Sequence, residues 1–99
     1  MILKTIGSVD LIVGETRKIF IEVINDSTEN FRIEDGSTWE FKKEHSDKIE
    51  SNGECTKSRD DEHVLIAVVS PKEKGIYHLI YCYKVAGETI KSRVEVRVS

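Results

Sequence analysis

Apolar and polar residues alternate along much of this 99-residue chain, and the alternation has the two-residue period of β-strands. In RKIFIEVI, the β-branched residues Ile19, Ile21 and Val23 share one face, which we expect to be buried, while Phe20 points the other way. The segment SRVEVRV repeats the pattern with three inward valines, Val94, Val96 and Val98. Since no window of about 11 residues shows helical spacing of its apolar residues, the chain is predicted to be all-β.

Turn-forming residues separate the alternating segments, as at Asp35-Gly36-Ser37, Ser70-Pro71 and Ala86-Gly87. Asn52-Gly53 is typical of a tight hairpin, because both residues tolerate positive φ. The pattern predicts seven or eight short strands. The candidate segments lie near residues 2–6, 9–13, 17–24, 30–34, 38–43, 47–51 with 54–57, 62–69, 76–84 and 88–98. Many short strands with frequent turns favour a single β-sandwich or a small barrel.

The stretch VLIAVVSPKEKGIYHLIY combines a strand, a corner and a second strand. Val64 and Ile66 are predicted to point into the core, and Pro71 ends the first strand because it has no N–H to donate. Gly75 lets the chain turn tightly. The hydroxyl of Tyr77 is then predicted to hydrogen-bond the backbone of the corner while its ring enters the core.

These spacings resemble the corner between strands E and F of immunoglobulin-like domains, with Glu73 at the acidic corner position. Trp39 matches the inward tryptophan of strand C in that family. The resemblance implies an immunoglobulin-like antiparallel β-sandwich of about seven strands, formed by residues 1–99 as a single domain. Leu79 stands where antibody-type domains carry a cysteine, which implies a sandwich without the inter-sheet disulfide and suits a reducing cytoplasm.

The layout of residues 13–98 also resembles the small immunoglobulin-like modules of bacteriophage and prophage structural proteins. The resemblance is carried by VGETRKIFIEV, FRIEDGSTWEFK and the closing segments GIY and VEVRV. It implies a non-enzymatic structural module of a virion tail, baseplate or decoration, which contacts protein partners or further copies of itself. The alternative is a bacterial surface-adhesion or carbohydrate-binding module cut from a longer secreted chain.

Composition narrows the partner classes. The net charge is −3 and the basic residues are scattered, which argues against a nucleic-acid partner. The N-terminal segment MILKTIGSVDLIVGE lacks the unbroken apolar run of ~7–15 residues of a secretory signal, and no apolar run in the chain approaches the ~20 residues of a membrane span. We therefore expect synthesis in the cytoplasm, or export without a cleaved signal, and no membrane partner. The phage resemblance implies incorporation into a virion. Two cysteines without CxxC spacing, Cys55 and Cys82, are predicted to be free thiols.

The densest set of metal-ligating residue types is Asp60-Asp61-Glu62-His63. In a strand, Asp61 and His63 would share one face and could hold a cation. A calcium site needs ~6–8 oxygen ligands, usually in a glycine-bearing loop, so a solvated loop is the preferred interpretation. A zinc site would have to combine singly placed residues whose spacing matches no ligand pattern, namely His45, Cys55, His63, His78 and Cys82.

The nearest candidate for a nucleophile and its base is Cys82 with His78. At four residues apart on a strand they are separated by ~13 Å, which is too far for direct contact. We therefore predict no catalytic, cofactor-binding or metal-binding residue, and no enzyme activity. On the same strand, Ile80 and Cys82 face away from the core and are candidates for a dimerisation or docking face, although isolated exposed apolar residues are the preferred interpretation.

Overall fold

The computed structural model describes residues 2–5, 8–24, 31–59 and 63–99, and these ranges contain strands and turns but no helix. The strands are β1 (Ile2–Thr5), β2 (Ser8–Leu11), β3 (Arg17–Ile24), β4 (Thr38–Lys43), β5 (Ile49–Glu54), β6 (Thr56–Lys57), β7 (Val64–Val69), β8 (Gly75–Val85) and β9 (Glu88–Val98). The all-β prediction is confirmed.

The strands form two sheets. One has four strands in the order β1-β3-β7-β6, and the other has five in the order β2-β9-β8-β4-β5. Neighbouring strands are antiparallel, except that β2 runs parallel to β9. The inner faces of both sheets contribute to one apolar core that includes Ile21, Leu65 and Leu79. Cys55 and Cys82 are free thiols, so packing and hydrogen bonds hold the two sheets together.

The described residues form nine strands where seven or eight were expected. The segment predicted at 47–51 with 54–57 divides at Cys55 into β5, paired with β4, and β6, paired with β7. The segments predicted at 2–6 and 9–13 are separate strands as expected, with β1 in the four-stranded sheet and β2 in the five-stranded sheet. The strand expected at 30–34 is wrong over the described residues 31–34, where Ile33 forms a single bridge to Val85 before Gly36 turns the chain with φ of 92°.

Asn52 and Gly53 do not close a hairpin. Both lie inside β5, where they pair with Glu40 and Trp39. A Cβ atom on Gly53 would lie 3.1 Å from the Trp39 indole, a tight contact, so glycine lets the indole pack closely here. Asn52 and Gly53 are therefore strand residues, and the glycine allows close packing rather than a turn.

The predicted inward face of β7 is also wrong. Val64 and Ile66 face outward and are partly exposed, and Leu65, Ala67 and Val69 are buried. Because VLIAVV is apolar on both faces, its own alternation does not identify the inner one. The pairing with β3 does so, since it sets Leu65 opposite the inward Ile21 and Ala67 opposite the inward Ile19.

The predicted corner is confirmed. The Tyr77 hydroxyl donates to the Glu73 carbonyl oxygen at 2.9 Å, and the Tyr77 ring stacks on Phe41 with centroids 4.5 Å apart. Gly75 has φ of 146°, a conformation that side-chain-bearing residues rarely adopt. Trp39 is buried, as predicted for an inward residue of β4.

Candidate interaction surface

The acidic cluster before β7 lies largely outside the described residues, because Asp60, Asp61 and Glu62 are not among them. The described member, His63, stacks on the Phe31 ring at a centroid distance of 4.1 Å. Its Nε2 atom lies 2.9 Å from the Phe31 carbonyl oxygen. His63 is therefore engaged in packing against the segment that precedes β4.

The other residues considered for a zinc site fall on different elements. His45 lies in the turn after β4, Cys55 at the junction of β5 and β6, and His78 and Cys82 on the outer side of β8. Burial raises the pKa of the Cys55 thiol to about 12, so this thiol stays protonated at neutral pH. In the described part of the chain, no three His, Cys, Asp or Glu side chains are grouped as metal ligands.

The buried polar side chains form hydrogen bonds with other groups of the protein. Tyr81 of β8 donates its hydroxyl proton to the Ile19 carbonyl oxygen of β3 at 2.6 Å, which connects the two sheets directly. The hydroxyls of Tyr83 and Ser92 lie 3.0 Å apart. Burial raises the pKa of both Tyr81 and Tyr83. Within the described ranges, every buried side-chain nitrogen or oxygen has a hydrogen-bond partner. These groups are satisfied without a ligand.

An open groove of about 470 Å³ lies between β5 and the corner that joins β7 to β8. Trp39, Phe41 and Tyr77 line its inner side, and Glu50 and Lys72 lie at its margin. The Tyr77 hydroxyl is already bonded to the corner backbone. The rest of the groove lining is mixed and includes the hydroxyls of Ser51 and Ser70.

The outer face of the five-stranded sheet is lined with charge. Its central strand, β8, points Ile76, His78, Ile80 and Cys82 outward, and each lies opposite a charged residue of β9. On the β4 side, Ile80 lies opposite Glu40 and Cys82 opposite Thr38. Ile80, one of the two residues considered for a docking face, thus has long charged side chains as neighbours on both sides.

The outer face of the four-stranded sheet is different, because apolar residues are adjacent across two strands. The pairing of β3 with β7 sets Phe20 opposite Ile66, Lys18 opposite Val68 and Glu22 opposite Val64. We call these six outward residues the β3–β7 patch. Phe20 is 40% exposed and Val68 is 44% exposed, so the patch leaves large apolar side chains in water.

The edges of the β3–β7 patch are polar. Lys18 and Glu22 are exposed on either side of Phe20, and within the described ranges neither takes part in an ion pair. Thr56 of β6 lies opposite Ile66 and continues the central row across the sheet. The patch is therefore an apolar centre with Lys18 at one end and Glu22 at the other, and the register sets Glu22 opposite Lys4 of β1.

Sequence reasoning identified Phe20 as outward but missed the rest of the β3–β7 patch. The missing information was the register of β7 against β3, which makes Ile66 the direct neighbour of Phe20. The one usable signal was that all six residues of VLIAVV are apolar, so an apolar row had to face outward whichever way the strand was oriented.

The chain matches no model of a known protein family, and no curated protein matches it. In the described part of the chain, no helix is long and apolar enough to cross a membrane.

Proposed function

We propose that this chain is a non-enzymatic module that binds proteins through the β3–β7 patch. The observation that carries the proposal is the exposure of Phe20 and Val68 beside the partly exposed Val64 and Ile66 on one sheet face. Removing apolar surface from water is favourable at about 25 cal/mol per Å². Contiguous exposed apolar patches rimmed by polar residues mark interaction sites on soluble domains.

We further propose that the sandwich is immunoglobulin-like. Supporting this, the four-stranded sheet matches the A-B-E-D order of that family when β1, β3, β7 and β6 take those letters. The five-stranded sheet, with β9, β8 and β4 as neighbours, corresponds to the sheet built on strands G, F and C. The hydrogen bond from Tyr77 to Glu73 is the corner bond found at the start of strand F.

We propose that this protein-binding module is a component of a phage or prophage virion. It is supported by the resemblance of residues 13–98 to modules of that kind, and by a docking surface suited to many-copy assembly. The alternative of a carbohydrate-binding module gains nothing from Trp39, which is only 7% exposed and cannot offer a face for stacking on a sugar.

The test is co-purification of the products of the neighbouring genes. The tagged chain is expressed together with the genes beside its own, and proteins retained in stoichiometric amount are identified by mass spectrometry. We expect a virion structural protein to be retained by the wild type and lost with the double variant Phe20→Ser, Ile66→Ser. The matched control, Ile76→Ser with Ile80→Ser, should retain it, because these residues lie on the other sheet.

The proposal would be overturned if neither the wild type nor the control retained a virion structural protein. The proposal would also be overturned if the Phe20, Ile66 variant retained the partner and the Ile76, Ile80 control lost it. The docking face would then be the outer face of the five-stranded sheet. Turnover of a substrate by the purified chain that depends on specific polar side chains would contradict the non-enzymatic assignment.

A further inference from the structure

We infer that the β3–β7 patch binds a second copy of this chain, face to face and with the strands of the two copies antiparallel across the interface. This inference rests on the proposed function and names the partner for the same surface. It follows from the arrangement of charge and apolar residues on β3 and β7.

The charges of the patch are placed symmetrically about its centre. Lys18 and Glu22 lie two residues before and two residues after Phe20 on the outward side of β3, so each is ~6.6 Å from the centre along the strand. On β7, Val68 and Val64 lie two residues to either side of Ile66. The row formed by Phe20 and Ile66 is therefore the midline of the patch.

A two-fold axis in the interface plane can run along the strands or across them. Along β3 it sets Lys18 against Lys18 and Glu22 against Glu22, which brings like charges together. Midway between β3 and β7 it sets Lys18 against Val68 and Glu22 against Val64 of the other copy, so neither position along the strands pairs opposite charges. An axis in the interface plane and perpendicular to the strands sets Lys18 of each copy against Glu22 of the other. The perpendicular axis pairs both charges of each copy with opposite charges.

The same axis also matches the apolar residues. It lies along the row of Phe20 and Ile66, so each of these residues meets its own equivalent, as an isologous contact requires. Val68 of one copy faces Val64 of the other. Sheets packed face to face lie ~10 Å apart with strands within about 30°, a separation that lysine and glutamate side chains span from opposite sides.

The size of the patch sets the strength of the dimer. Three outward residues on each of two strands cover a small part of one sheet, below the area of standard stable interfaces of about 1,200–2,000 Å². The dimer is therefore weak in dilute solution and depends on protein concentration. Assembly in many copies would strengthen such a contact by raising its effective concentration.

The test is a charge exchange measured by sedimentation velocity from about 10 µM to about 1 mM, the affinity range of a small interface. Lys18→Glu and Glu22→Lys should each weaken self-association by about 10-fold or more, because each creates two like-charge contacts across the axis. An equimolar mixture of the two variants should restore association, since each altered residue then faces an opposite charge. The double variant Lys18→Glu, Glu22→Lys should associate with itself.

Matched controls are Lys91→Glu and Glu88→Lys, exposed residues of β9 that carry the same changes in net charge on the other sheet. They should leave the sedimentation profile unchanged. Far-ultraviolet circular dichroism of each variant shows whether the fold is retained.

A wild-type chain that stays monomeric throughout the concentration range would overturn the inference. Self-association that the single variants leave unchanged, or that the mixture fails to restore, would overturn the antiparallel arrangement. If the wild type is monomeric but still retains a neighbouring gene product through Phe20 and Ile66, the proposed function stands and only the self-association is wrong.

Discussion

The two outer faces of this sandwich carry apolar residues in different surroundings. On the five-stranded sheet, Ile80 of β8 has Glu40 and Arg93 as its cross-strand neighbours. On the four-stranded sheet, Ile66 of β7 has Phe20 and Thr56 as its neighbours. Both isoleucines are only partly buried, but Ile66 belongs to a continuous apolar surface and Ile80 does not.

The difference has a physical cause in the length of the neighbouring side chains. Arginine and glutamate can lay their aliphatic stems over an adjacent isoleucine while keeping the charge in water. Threonine is too short to do so, and Phe20 adds apolar surface of its own. Exposed apolar residues therefore indicate a docking site where their neighbours across the strands are also apolar or short, as at Ile66 of β7.

The largest expected effect tests which side of β7 faces the core. Leu65→Ala should destabilise the fold by about 2–5 kcal/mol, because Leu65 is fully buried and its truncation leaves a cavity. Ile66→Ala should cost less than about 1 kcal/mol, because Ile66 faces solvent. The measurement is urea denaturation of both variants, and a larger loss for Ile66→Ala would reverse the orientation of β7 and remove the β3–β7 patch.

The next effect concerns the hydrogen bond from Tyr81 to Ile19, which connects the two sheets. Tyr81→Phe leaves the Ile19 carbonyl oxygen without its partner from β8, and we expect a loss of about 1–3 kcal/mol. Tyr77→Phe removes the bond to Glu73 at the partly exposed corner, and the loss should be ~1 kcal/mol. Thermal melts of both variants make the comparison, and an unchanged melting temperature for Tyr77→Phe would count against the corner assignment.

A smaller effect compares the two faces through an apolar fluorescent dye. The wild type should bind such a dye in its folded state, and Ile66→Lys should lower the bound fluorescence by roughly half, because it places a charge in the centre of the patch. Ile80→Lys should leave the signal nearly unchanged, because Ile80 lies between charged residues. Equal losses for the two variants would show that the faces do not differ as described.

A further effect is a pH dependence that belongs to the interior rather than to either face. The Cys55 pKa rises from 9.0 to about 12 on folding, so its contribution to stability is fully present below pH 9 and is lost as pH rises toward 12. The free energy of unfolding should thus begin to fall above pH 9, and Cys55→Ala should make that fall shallower. The two variants Phe20→Ser and Ile76→Ser should keep the wild-type slope, and a changed slope in either would contradict this assignment.

Much of the fold is predictable from local pattern, because the buried residues of β3 and β9, apart from Ser92, are apolar and their outward residues, apart from Phe20, are mostly charged. Tyr77 and Gly75 identify a corner for the same reason, since their roles depend on residues close in sequence. The orientation of β7 and the role of Gly53 were not predictable. They depend on the register with β3 and on contact with Trp39, which are set by strands far away in the chain.

The β3–β7 patch was likewise only partly predictable from the sequence. Phe20 is recognisable as outward from the alternation of RKIFIEVI alone. Its neighbour Ile66 lies 46 positions later in the numbering, and only the pairing of β3 with β7 places the two side by side. Ile80 and Cys82 looked equally outward in the sequence, and their charged neighbours Glu40, Arg93 and Lys91 come from two other strands.

Site-specific photo-crosslinking tests most directly whether the outer face of the four-stranded sheet is the docking surface. A photoreactive amino acid is placed at position 20 in one variant and at position 80 in another, and both are irradiated together with the products of the neighbouring genes. We predict protein adducts from position 20, to a second copy of the chain or to a virion protein, and background levels from position 80. Adducts mainly from position 80, or from neither position, would contradict the central claim.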